Sequence, residues 1–314
     1  MEMALYIARK FAYLLLVIVG VTVISFVLAN IAPIDPAEAY ARRINLTASQ
    51  EVVEGTREEF GFDKPVVEQY IDWASRIIRL DFGKSYSTKK PVFDEIMAAL
   101  PSTLILSLIA AGFIAFVSLP LALLSVRRED GLADKIISGF SFVSLAIPGY
   151  FIGLVVLLAF GMKLHAFPII GHGHPVSMMF AGAALAFPMI GSLVRIMRSL
   201  ILENKDAEFI LYARARGLSE KTILWRHLLL NAAPPCITMF AQNLGYLVAG
   251  TVIVESIFSV PGLGQYALKA ATNQDFPALN GYIVVMAAFF VVFNLSAEAI
   301  GVRIDPRMEQ SEGA

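Results

Sequence analysis

The sequence predicts an all-α membrane protein of six transmembrane helices, with both termini cytoplasmic and a large first external loop. Three observations carry this. The 314 residues are 57% hydrophobic and only 16% charged, whereas soluble domains run near 45–50% apolar and about 25% charged. Six segments of about twenty residues or more lack Asp, Glu, Lys and Arg, the length a helix needs to cross a bilayer core. Finally, Lys and Arg concentrate in alternate short loops, the pattern that sets orientation.

The first apolar segment, Phe11–Ile34, exceeds the roughly 7–15-residue core of a signal peptide and reads as an uncleaved span. The others are Ser102–Val126, Ile136–Met162, Pro175–Val194, Leu228–Val254 and Phe276–Ala297. In lipid a helix satisfies its own backbone, so helices are the economical reading. Arg9 and Lys10 precede the first span, and Arg127, Arg128 and Lys135 lie between the second and third. Seven cations lie between the fourth and fifth, and Arg303 and Arg307 are in the tail. On the other side, Glu255–Asp275 carries only Lys269 and Lys163–His174 one cation at its edge. The chain therefore divides into 1–31 (first span), 32–101 (external loop), 102–302 (remaining spans, with a polar loop at 195–230) and a tail, 303–314.

The external loop has local structure of its own. Thr47-Ala-Ser-Gln50 is a capping-box pattern opening a helix to Phe60. Gly61-Phe-Asp-Lys-Pro65 is turn chemistry. Val67, Tyr70, Ile71, Ala74, Ile77 and Ile78 then form one apolar face along a helix over Val66–Leu80, and Pro91–Leu100 is an amphipathic piece returning the chain to the membrane. Within the spans, Pro120, Pro148, Pro188, Pro234 and Pro235 remove backbone hydrogen bonds and predict kinks. Gly149 and Gly153 form a GxxxG pattern that permits close helix approach.

Much chemistry is excluded. No GxxxxGK[ST] phosphate loop, HExxH, CxxC or nucleophile-elbow pattern occurs, so the chain itself is not expected to be an enzyme or to hold a cofactor. The single Cys236 rules out an internal disulfide framework. Glu255 and Glu298 stand near span ends rather than at the centre, where an ion-coupled carrier places its carboxylates. Gln242, Asn243 and Asn294 are the deeper polar groups, path-lining or simply hydrogen-bonded between helices. His165, His172 and His174 share one outer loop; imidazole suits nickel, copper or zinc, so they are possible transient metal contacts or a plain His-bearing turn.

The sharpest feature is the polar stretch between spans four and five. Asp206–Arg216 reads as a short helix, acidic at its start and basic at its end, as the helix dipole favours. Gly217 closes it, Leu218-Ser219 turns the chain, and a second helix follows over Glu220–Leu230. The apolar set Phe209, Ile210, Tyr212 and Ala213 has no place in a simple charge anchor; a loop exposing it must dock on something.

From Tyr212 to Pro235 the chain resembles the cytoplasmic motif of ABC-importer permeases. Ala213, Gly217 and Pro235 match that motif's alanine, glycine and closing proline. Leu211 stands where its leading glutamate is absent, as in the peptide/nickel branch. Further segments resemble the first permease of that branch: Tyr6–Lys10, Ala32–Pro36, Gly61–Pro65 with Gln69-Tyr70, Leu80–Gly83, Pro101–Leu104, Glu255–Gly264, Gln274–Pro277 and Asp305–Arg307. The resemblance implies the type I importer-permease fold in a bacterial inner membrane. It implies a second homologous permease, two ATPases carrying ATP and Mg, an external substrate-binding protein, and no role for nucleic acid. ATPase coupling then falls to Asp206, Glu208, Phe209, Tyr212, Ala213, Arg214, Arg216, Gly217 and Ser219. Glu255, Phe258, Pro261, Gly262, Gly264 and Asp275 become an external gate or partner contact. The length and layout of Asp35–Pro65 are similar to permeases for nickel or nickel chelates; di- and oligopeptide permeases are the alternative cargo class. A stand-alone ion-coupled transporter is the rival from another class.

Overall fold

A computed structural model of the chain describes residues 2–31, 35–45, 47–169 and 173–304. His172, residues 32–34 of the Ala32–Pro36 segment and Asp305–Arg307 lie outside the described residues. Among the described residues regular structure is helical, apart from an isolated bridge between Lys84 and Pro91. In chain order the helices are α1 (Glu2–Ile31), α2 (Pro36–Ile44), α3 (Gln50–Phe60), α4 (Val66–Ile78), α5 (Val92–Arg127), α6 (Leu132–Ala146) and α7 (Gly149–Val156). They continue with α8 (Pro175–Glu203), α9 (Glu208–Ala215), α10 (Glu220–Ile223), α11 (Leu229–Ile257), α12 (Leu263–Thr272) and α13 (Phe276–Ile304). Wider π turns extend α7 over Leu157–Lys163 and join α10 to α11 over Leu224–Leu228.

Among the described residues, four helical stretches are long and apolar enough to cross a membrane: Val92–Arg127, Pro175–Glu203, Glu220–Ile257 and Phe276–Ala299. A fifth is counted if α6 and α7 with its π extension form one broken span, and α1 contributes the apolar stretch Leu15–Val27. The expected third span is therefore not one straight helix. It bends by 100° at Ile147-Pro148. Pro148 lacks an N–H, and its ring holds Ile147 in extended backbone (φ −94°, ψ 123°), so the helix must stop there.

The chain divides into two compact units, Met1–Pro101 with Gly262–Phe289, and Ser102–Pro261 with Phe290–Ala314. In the first, Phe82, Val92, Ile96, Leu263, Ala270 and Ala278 form the core. Gly281 makes that packing possible, since a Cβ there would meet Val92 Cγ1 at 2.7 Å. Here the external motifs acquire physical reasons. The Asp35 carboxylate caps α2, accepting from Ala37 N–H at 2.9 Å, and pairs with Arg57 of α3. Gly61 ends α3 at φ +70°. The Gln69 side-chain amide donates to the Phe62 and Lys64 carbonyls (3.2 and 2.8 Å) and so clamps the Gly61–Pro65 turn.

Three local expectations are corrected. The cap of α3 is Ser49, accepting from Val52 N–H at 3.4 Å, because Thr47 is already bonded to the Asn45 side chain. The apolar face expected on α4 is split: Tyr70 and Ile77 are half-buried, while Val67, Ile71 and Ile78 are exposed. The amphipathic piece before span two is the first part of α5 itself, which continues through Pro101 without a break.

In the second unit the core runs through Leu106, Ile114, Leu185, Val194, Ile201 and Leu247. Small residues set the helix spacing. A Cβ on Gly182 would lie 2.5 Å from Ile109 Cγ2, and one on Gly191 only 1.7 Å from Ser144 Oγ. Gly149 and Gly153 do bring helices together, facing Pro188 of α8 and Ile257 at the end of α11 respectively.

Candidate functional site

The polar stretch is a helical hairpin hung on α8. Its first helix, α9, begins at Glu208 and not at Asp206, because Ala207 is extended (φ −65°, ψ 148°). Asp206 lies in the preceding turn, while Glu208 supplies the first-turn negative charge. The apolar set splits into two faces. Ile210 and Ala213, three residues apart, are buried in the core of the unit. Phe209 and Tyr212 point the other way and are 40% and 67% exposed, with Leu211 equally open. The inward pair anchors the hairpin, and burying Ile210 alone contributes about 1.5–3 kcal/mol. The outward trio is unsupported apolar surface on an otherwise polar element. Leu211, standing where the motif's glutamate is absent, belongs to that outer face.

The hairpin's turn is closed by chemistry the sequence foreshadows. Gly217 has φ +79°, and the N–H groups of Gly217 and Leu218 return to the carbonyls of Arg214 and Ala213 at 2.9 and 3.2 Å. Ser219 then caps α10, its Oγ accepting from Thr222 N–H at 3.3 Å. Arg214 spans the turn to Glu220 (Nε to Oε1 2.9 Å), and Arg216 lies 5.8 Å over the Tyr212 ring.

Sequence reasoning missed how the hairpin's stem is fixed. The Arg198 guanidinium makes two bonds of 2.7 Å to both oxygens of Asp134 in the first turn of α6. Asp134 also accepts from Asp130 N–H (3.0 Å) and Ser138 Oγ (3.3 Å), and Lys205 reaches Glu129 at 2.5 Å. Two of the loop's cations thus serve as ties to the α5–α6 connection. The acids Glu129, Asp130 and Asp134 among that connection's own cations were the available signal.

The other expected positions are more scattered. Gln242 is exposed and Asn243 half-buried, neither with a hydrogen-bond partner among the described residues. The Asn294 amide donates to Phe290 O of its own helix at 2.8 Å. Gly245 lets α13 approach: a Cβ there would lie 3.5 Å from Phe290 and Phe293, and 3.8 Å from Asn294 Nδ2. Glu255 and Phe258 are fully enclosed in the second unit, where Glu255 accepts from Thr103 Oγ1 at 2.6 Å, joining two of the resembling segments. Pro261 is exposed. In the first unit Gly262 precedes α12, Gly264 is buried within it, and Asp275 ties down the external loop. The Asp275 carboxylate accepts from Ser85 Oγ (2.6 Å), Ser87 N–H (2.9 Å), Tyr86 N–H (3.0 Å) and Ala278 N–H (3.3 Å). Burial pushes this carboxyl up, but the bonds from Ser85, Ser87 and Tyr86 outweigh it and hold the pKa below the ordinary value. His165 and His174 are both exposed.

The family described as "Binding-protein-dependent transport system inner membrane component" matches residues 118–310. Its companion, "Binding-prot-dependent transport system membrane comp, N-term", matches residues 3–107. The chain belongs to this family. It is an ABC-importer permease subunit and a multi-pass membrane protein. The oligopeptide transport system permease protein AppB of Bacillus subtilis is 32% identical over 98% of this chain and 100% of its own length. The metal-staphylopine import system permease protein CntB of Staphylococcus aureus is 28% identical over 97% of this chain and 98% of its own. These relatives place the permease in the peptide/nickel branch. In fold, the permease is similar to a chain of the inward-facing MetNI methionine ABC transporter. The match has TM-score 0.54 and 19% identity, covering 67% of this chain and 95% of that one.

Proposed function

We propose that this permease pairs with a second, homologous permease to form the path of an importer in the bacterial inner membrane, driven by ATPases that dock on the 206–219 hairpin. The single observation that carries the reading is the double-faced α9: Ile210 and Ala213 are built into the permease, while Phe209, Leu211 and Tyr212 stay uncovered. A rigidly anchored apolar surface on a polar hairpin transmits a push. The permease then has six spans, α1 and the broken α6–α7 among them, with both termini and the hairpin cytoplasmic. ATP and Mg belong to the partner ATPases, and this chain carries no cofactor and no hydrolytic site. An external binding protein delivers cargo on the side of Glu255–Asp275. Phe258 and Glu255 shape the outer gate from within, and Gln242, Asn243 and Asn294 line the path.

Cargo is nickel or a nickel or other metal chelate, with a di- or oligopeptide as the alternative. The layout of Asp35–Pro65 supports the chelate and the likeness to AppB supports the peptide. Calorimetry of the cognate external binding protein against nickel, nickel–histidine and dipeptides separates the two. The coupling claim is tested by F209D/Y212D, whose side chains are exposed and whose loss leaves the core intact. The variant inserts and elutes normally but loses ATPase co-purification and import. Retention of stoichiometric ATPase would sink the claim, and uptake driven by an ion gradient without any ATPase would favour a secondary transporter.

A further inference from the structure

Beside the hairpin, within the second unit, lies a cavity of about 780 Å³ bordered by the ends of α5 and α8, by α10 and by the π turn into α11. That volume is ligand-sized, within the roughly 300–1,000 Å³ of known binding pockets. Its two halves differ in chemistry. The floor is apolar, made of Leu119, Leu123, Ile201, Leu224 and Leu228, with Trp225 beside them and 48% exposed. The rim holds Arg127, Lys205, Arg214 and Lys221 against Glu129 and Glu220. Both carboxylates are already engaged, Glu129 by Lys205 and Glu220 by Arg214. Arg127 and Lys221 have no hydrogen-bond or ion-pair partner among the described residues. Four cations against two anions leave the rim with a surplus of two positive charges.

The site also has a characteristic depth. Arg127 ends the apolar helix α5, and Lys221 opens the stretch that becomes α11. Charges at span ends lie at headgroup level, and an exposed tryptophan there is an interfacial residue. A free anion would use the rim and leave the apolar floor wet. A neutral lipid would use the floor and leave two cations unmatched.

We propose that this cavity binds an anionic phospholipid, its phosphate held by Arg127 and Lys221 and its first acyl segment lying on Leu119, Leu123, Leu224 and Trp225. Basic recesses between membrane helices are suited to such headgroups. Lys221, Arg214 and Glu220 belong to the hairpin, so an occupied cavity ties the hairpin to the end of α5 and tunes how stiffly it transmits force. The inference rests on the membrane reading of this chain and not on ATPase docking.

The test uses the full chain in phosphatidylcholine nanodiscs. Tryptophan occurs twice, so W73F leaves Trp225 as the only tryptophan, whose emission is excited selectively over that of tyrosine. Dibrominated phosphatidylglycerol and dibrominated phosphatidylcholine, which quench on contact, are compared as probes. With each cation near a membrane surface giving about fivefold, the phosphatidylglycerol preference is about twenty-five-fold. It collapses to near unity in the double variant Arg127→Gln with Lys221→Gln, and the charge-conserving pair Arg127→Lys with Lys221→Arg retains it, which excludes a packing change at these positions as the cause. Equal quenching by both lipids in the W73F chain overturns the proposal, as does a preference that survives removal of both charges. Relief of quenching by millimolar inorganic phosphate overturns the lipid assignment in favour of a free-anion site. None of these outcomes depends on an ATPase, so the coupling claim stands or falls separately.

Discussion

Replacing Arg198 by Met keeps the length and apolar stem of the side chain while removing the charge that holds α8 to α6. The Asp134 side chain is 3% exposed, and Arg198 supplies two of its four bonds. Removing one partner of a buried pair costs about 3–5 kcal/mol, because a desolvated charge is left behind. Two facts lower that figure here. The Asp130 N–H and Ser138 hydroxyl remain bonded to the carboxylate, and Arg198 is itself 27% exposed, so water reaches the pair. The expected loss is therefore about 2–3 kcal/mol. At about 2–4 °C per kcal/mol for a chain of this size class, the apparent Tm falls by roughly 5–10 °C. Fluorescence-detected size exclusion after heating in detergent measures it. Asp134→Asn alone leaves a guanidinium that water already reaches and costs less, and the double variant recovers a coupling energy of about 1–2 kcal/mol. A high-salt buffer changes the Arg198 result little, whereas the open Lys205–Glu129 pair, worth at most about 1 kcal/mol, weakens. A Tm for Arg198→Met within about 1 °C of the parent, or strictly additive single effects, would refute the claim that this pair fixes the hairpin's stem.

Two further predictions follow from tight local geometry. Asp275→Ala removes the acceptor shared by Ser85, Tyr86, Ser87 and Ala278 and costs about 3–5 kcal/mol, seen as early protease cleavage in the 81–91 loop. Because the folded carboxyl is held below its ordinary value of 3.8, its stabilisation is complete above that pH and is lost as pH falls through the lower folded value. An acid titration of cleavage in which Asp275→Asn matches the parent would contradict this. Gly191→Ala places a Cβ 1.7 Å from Ser144 Oγ and 2.9 Å from Ser141 O, so α6 and α8 must separate, at about 1–3 kcal/mol. The companion change Ser144→Gly restores part of the lost Tm, and no recovery would argue against helix contact at this point.

Within the hairpin, short-range signals are legible in the sequence and the choice of partners is not. Gly217 ended a helix where a Cβ-free residue was needed, and Ser219 proved to be the next cap, both visible as short-range patterns. Phe209, Ile210, Tyr212 and Ala213 formed one apolar set in sequence. Only the packed chain shows that two of them face the core and two face outward, since residues one apart on a helix diverge by about 100°. Likewise Ser85 and Asp275, 190 residues apart, and Thr103 and Glu255, 152 apart, carry no mark of belonging together. Their hydrogen bonds exist only once the helices bearing them have met.

Apolar content, loop charge and helix punctuation are properties of neighbouring residues, so an all-α membrane chain, its polar hairpin and its family are legible along the chain. Tertiary structure alone decided which cations are ties and which have no partner among the described residues. Arg198 and Lys205 found carboxylates, while Arg127 and Lys221 were left facing an apolar recess. The reason is that an ion pair reaches only about 4 Å. Whether two side chains come that close depends on where the intervening helices pack, and no count of charges along a loop contains that distance.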